Sequence, residues 1–83
     1  MQIDPSVRAK LLHQLTIEDK RQRTNPYALA HYFGALQAVD TDVADGTPLR
    51  DALKQRFCGP MVNRLVKAAG MAPLTTDEIR EVR

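Results

Sequence analysis

Four prolines punctuate this chain, each directly behind a residue that caps helices or makes turns: Asp4-Pro5, Asn25-Pro26, Thr47-Pro48 and Gly59-Pro60. Proline suits the first helical position, where its missing N–H is no loss and its fixed φ is already helical. A fifth start uses other chemistry. Thr75 with Glu78 three residues on forms a capping box, and Leu74 and Ile79 stand where a hydrophobic staple closes. Between these marks the apolar residues recur at three and four. The chain therefore predicts an all-α fold, a compact bundle of four to five short helices: about 5–15 with continuation to 23 left open, 26–44, 48–58, 60–70 and 75–82.

The stripes name the expected core. Val7, Leu11, Leu12 and Leu15 line the first helix, with Thr16 and Asp19 able either to start a new turn or to let the helix run on. Leu29, Tyr32, Leu36, Val39 and Val43 make the second helix central, with Phe33 alongside. Ala30, Gly34 and Ala38 lie four apart on a neighbouring face, consistent with either a close helix crossing or a tolerated glycine. Gly46 is placed to end that helix in the left-handed conformation. Leu49, Ala52, Leu53 and Phe57 follow in the third helix, and Met61, Val62, Leu65, Val66 and Ala69 in the fourth. No strand pattern, repeat or low-complexity tract interrupts them.

At 83 residues the chain makes one domain, 1–83, whose last segment, 75–83, has only Ile79 and Val82 to dock it and is expected to be loosely held. Cys58 is its single cysteine, so no internal disulfide staples so small a core, and a homodimer or obligate complex is the expected remedy. No apolar run approaches the roughly 18 residues of a membrane span, and the N-terminal residues lack a signal-peptide block; no membrane association and a cytoplasmic location are expected.

Catalytic and metal chemistry is thin. His13, His31 and Cys58 lack a second ligand at zinc spacing, and no histidine lies beside Cys58 in sequence to activate it. The run from Asp40 to Gly46 fails as a calcium loop, because its third acid falls one place late and Asp51 stands where a bidentate glutamate belongs. Its acids oppose the dipole of the second helix, so neutralisation by Arg50 or Lys54 is expected, with a basic partner as the other reading. No catalytic residue, cofactor or metal ligand is assigned, and the chain reads as a non-enzyme.

What the sequence does offer is a biased surface. Residues 46–70 carry Arg50, Lys54, Arg56, Arg64 and Lys67 against Asp51 alone, a local charge of +4 within a chain of net +2. Together with Asn63 these five form the candidate partner or nucleic-acid surface; Lys20, Arg21 and Arg23 make a second basic cluster. Two functions compete for them. The first is a protein-interaction module (adaptor, regulator or inhibitor) whose partner is another protein, in keeping with the adaptable side chains of Tyr27, Tyr32, Phe33, Met61 and Met71. Of these, Phe33 and Met61 are expected inside and Tyr27 and Met71 toward the surface. The alternative is a DNA- or RNA-binding regulator with a helix-turn-helix-like unit at 48–70, aiming Asn63, Arg64 and Lys67 at a groove. Against it, Ala52, Gly59 and Val62 or Leu65 cannot all take the fixed spacings of that motif.

Overall fold

The predicted starts at Pro5 and Pro60 and the capping box at Thr75 open helices, and the start at Pro48 opens one a residue later, for local reasons the backbone makes explicit. The computed structural model describes residues 2–21 and 27–81. Asp4 caps α1 (Pro5–Arg21): its Oδ1 accepts from the Ser6 N–H at 2.8 Å and from the Ser6 hydroxyl at 2.7 Å. The helix runs through Thr16 without a break, because the Thr16 hydroxyl donates back to the His13 carbonyl at 2.6 Å and so does not cap a new turn. α2 (Ala28–Ala44) follows. Its predicted opening at Pro26, and Arg23 of the second basic cluster, lie outside the described residues.

The ends of α2 and α4 are closed alike. After α2 the Gly46 N–H donates to the Val43 carbonyl and the Thr47 N–H to that of Asp42, with Gly46 at φ +104°, the double bond pattern that glycine completes without Cβ strain. After α4 the Gly70 N–H reaches Lys67 and the Met71 N–H reaches Val66 in the same pattern. α3 (Leu49–Arg56) and α4 (Pro60–Ala68) are each shorter than expected. Pro48 caps α3 and does not enter it, and Phe57 is already extended at φ −125°, ψ 162°, which ends α3 before Cys58. Gly59, at φ +67° and ψ −158°, then turns the chain into Pro60 through backbone space that essentially only glycine enters. α5 (Thr76–Glu81) opens on the predicted capping box, with the Thr75 N–H donating to Glu78 Oε1 at 3.0 Å and the Glu78 N–H to Thr75 Oγ1 at 3.2 Å. Leu74 is buried, while the Ile79 side chain of the expected staple lies outside what is described.

Packing joins α1 to α2, α2 to α3, α3 to α4 and α4 back to α1, a closed ring of neighbours, and α5 is tied to α3 by the bonds between Arg50 and Glu78. The thinnest dimension is 19 Å, the depth of two helices. One core fills the ring, centred on Leu11, Leu15, Leu36, Val39, Leu53, Val62, Leu65 and Val66, all essentially without solvent contact. The fold is all-α, as the periodicity predicts.

Two local expectations are corrected, and an open choice at Gly34 is decided for the tolerated glycine. Phe33 is not interior but 38% exposed, because Ala28, Tyr32, Leu36, Val39 and Val43 occupy the inward stripe and the next residue after Tyr32 is turned about 100° away. Met61 is half-buried at the core margin and not enclosed. No helix crosses closely at Gly34, since a Cβ built there would meet nothing within 4 Å.

Candidate interaction surfaces

The basic surface takes on a different meaning once the helices are assembled. Arg64 of α4 reaches Glu18 of α1 through two bonds, Nε to Oε2 at 2.8 Å and Nη2 to Oε1 at 2.5 Å. Glu18 is 3% exposed, and Gln14 one turn back donates a further bond at 2.7 Å. The Arg64 guanidinium is the main reason the Glu18 carboxyl is held below the usual carboxylate range despite its burial. Arg56 makes an equivalent two-bond fork with Asp42 at 2.8 and 2.9 Å, and Arg8 with Asp40 at 2.9 to 3.1 Å. These pairs replace the expected neutralisation of the α2 acids by Arg50 or Lys54. Arg50 instead turns to the C-terminal segment, where it bonds Glu78 at 2.6 and 3.1 Å and the carbonyls of Ala72 at 2.6 Å and Pro73 at 3.3 Å. That contact, followed by the Thr75 N–H bond, lowers the Glu78 pKa to about 2. The Asn63 side chain accepts the Leu74 N–H at 2.9 Å and so anchors the same connector.

Of the six residues assigned to the partner surface, Arg50, Arg56, Asn63 and Arg64 are thus engaged by this chain's own groups, and Lys54 is not free either. Lys67 is exposed and Lys54 half-buried; Lys20 and Arg21 are exposed at the end of α1. The structure does not gather them into a single unspent positive face.

It does gather a groove. His31 and Tyr32 of α2, Arg56, Phe57 and Cys58 at the α3 exit, and Pro60, Met61 and Arg64 of α4 enclose about 280 Å³. Tyr32, buried to 9% exposure, forms its floor with Phe57. Burial first, and the Glu18 charge second, push the Tyr32 hydroxyl pKa upward. The His31 and Tyr32 rings are tilted by 57° with centroids 6.1 Å apart. Cys58 is exposed, and the fold brings to its groove the histidine that sequence neighbourhood lacks. Tyr27, 77% exposed, stands one turn before His31.

Sequence reasoning missed Glu18, the acid on which the α1–α4 seam closes. A signal was present: Leu11, Leu15 and Glu18 step by four and three, which puts a carboxylate on an apolar stripe and demands a cationic partner. Among the described residues no cluster of His, Cys, Asp and Glu suits a metal ion, and no helix is long and apolar enough to cross a membrane. Comparison with protein-family models, curated proteins and solved structures gives no match.

Proposed function

We propose that this protein is a non-enzymatic helical interaction module that binds another protein through the groove between α2 and the α3–α4 turn. The observation that carries the reading is the internal use of the arginines. A nucleic-acid reader needs unspent cations to replace the counterions of the phosphates and side chains free to reach base edges. Here Arg50, Arg56 and Arg64 face carboxylates of the same chain, and Asn63 holds a backbone N–H. The recognition helix of the helix-turn-helix reading would be α4, whose central arginine secures α1.

The groove supports a protein partner of particular chemistry. Its apolar lining of Tyr32, Phe57, Pro60 and Met61 suits an apolar side chain. At its rim each of Arg56 and Arg64 commits two nitrogens to a carboxylate, which leaves further N–H donors for carbonyl or carboxylate acceptors beside that side chain. A reducing compartment such as the cytoplasm suits the exposed Cys58 thiol.

The test is a tagged pull-down from source lysate with and without nuclease, paired with a nucleic-acid shift assay at several salt concentrations. The expected result is one stoichiometric protein that survives nuclease and is lost from Met61→Glu but retained by Lys67→Ala. Co-purifying nucleic acid, with a shift that weakens steeply as salt rises, overturns the reading in favour of the helix-turn-helix alternative.

A further inference from the structure

Among the described residues nothing covers one face of α2, and that face is without charge over its length from position 28 to 39. α2 is more apolar on average than α1, α3 or α4, and a helix apolar all round is ordinarily covered on all sides. Its inner stripe is buried, yet on the opposite side Ala30, Gly34, Gln37 and Thr41 are exposed, with Phe33 and His31 at the flanks. No Asp, Glu, Lys or Arg occurs between positions 28 and 39, and the Asp40 and Asp42 carboxylates are taken by Arg8 and Arg56. One acid is left. Asp45, at the helix exit, is exposed and has no ion-pair partner among the described residues.

Charge pattern selects the occupant of this face. A two-fold contact lays a patch on its own copy, so a patch of one sign repels itself, whereas a neutral patch with complementary ends attracts itself. The α2 face is uncharged in between and ends on an imidazole, His31, that can donate a hydrogen bond and a carboxylate, Asp45, that accepts one. His31 and Asp45 lie within about 40° of each other around the helix and about 21 Å apart along it, with uncharged residues between. An antiparallel pairing sets each His31 against the other copy's Asp45 and opposes the two helix dipoles favourably. It also lets the backbones approach at Gly34, where nothing stands within 4 Å of a built Cβ.

We propose that this face is a self-association surface: two copies of the chain pack α2 against α2, antiparallel about a two-fold axis beside Ala38, with His31 of each meeting Asp45 of the other. Contact along so short a helix falls below the roughly 800 Å² per partner of a standard interface, so the dimer is weak and forms only at high concentration. The two surfaces share His31 and no other named residue, since Gly34, Ala38 and Asp45 do not line the groove.

Sedimentation equilibrium between about 10 μM and 1 mM tests it, in reducing buffer so that Cys58 cannot cross-link copies. The mass should rise from one chain toward two across that range. Ala38→Glu should stay monomeric at the highest concentration with unchanged helical circular dichroism, and so should Ala38→Lys. Mixing these two variants should restore dimers, which also shows that both are folded. His31→Asp should weaken association at least tenfold, and His31→Asp with Asp45→Lys should recover it. A wild type that stays monomeric at 1 mM, or a dimer indifferent to Ala38→Glu, overturns the proposal; recovery absent from both the mixed pair and the charge swap does so as well.

Discussion

The seam between α1 and α4 and the outer face of α2 handle polarity in opposite ways. The seam encloses a carboxylate, Glu18, and satisfies it with Arg64 and Gln14. The α2 face exposes apolar and small residues and carries no charge over its first three turns. Buried charge fixes geometry, because removing one partner strands the other in a poorly solvated place. An uncharged open face fixes nothing within the chain and is tolerant of substitution. Structural constraint in this protein therefore sits in the seam, and freedom to evolve contacts sits on α2.

The sharpest way to break that contrast is at the seam's apolar part. Leu15→Ala, at a position with no solvent contact, should cost about 3 kcal/mol in chemical denaturation. A loss under about 1 kcal/mol would mean that the seam is not packed as described.

Arg64→Ala should cost about 2 kcal/mol, less than a fully enclosed pair, because 36% of the Arg64 side chain stays in water. Glu18→Gln in the same background should return part of that loss, since it removes the stranded charge. The pair also predicts a pH dependence. Glu18, Asp42 and Glu78 are all held below their ordinary values in the folded chain, by Arg64, Arg56 and Arg50 respectively. A carboxylate with a depressed folded pKa contributes stability that is complete above its unfolded pKa and lost as pH falls through the folded one. Unfolding free energy should accordingly be flat from neutrality to about pH 5 and decline from there toward pH 2. Glu78→Gln should flatten the lower part of that decline, since Glu78 titrates near 2. Stability that rises on acidification would contradict the ion-pair assignments.

On α2 the expected effects are smaller and one has the opposite sign. Gly34→Ala should stabilise the monomer by about 0.5 to 1 kcal/mol, because an interior helical glycine is unfavourable and nothing obstructs a methyl group there. Gln37→Lys, on the exposed side, should change monomer stability by no more than about 0.5 kcal/mol. Thermal melts at low micromolar concentration measure both without interference from self-association; a large loss for either would show that this face is occupied within the chain.

How far the sequence could be read follows from the range of the forces involved. Helix ends were legible at Asp4-Pro5, at Gly46 and at Thr75 with Glu78, because capping groups act on backbone a few residues away. The inward stripe of α2 was legible too, apart from Leu29, which is half-buried while Ala28 takes its inward place, and Phe33, whose neighbour Tyr32 holds the interior direction. The candidate surface was much less so. Arg50, Arg56 and Arg64 form a basic cluster when counted along the chain, yet they pair with Glu78, Asp42 and Glu18 at separations of 28, 14 and 46 residues. Charge counted in a window misses a partner that far away.

Local chemistry alone thus determined that this chain is helical, where α1, α4 and α5 begin and the inward stripe of α1 to α4, since proline geometry, capping and 3.6-residue periodicity are properties of neighbours. Tertiary packing decided which arginines are spent, that Glu18 lies inside, that His31 and Cys58 share a groove and that no described residue covers the far side of α2. Those outcomes depend on which helix faces meet, and no residue's neighbours in sequence specify that.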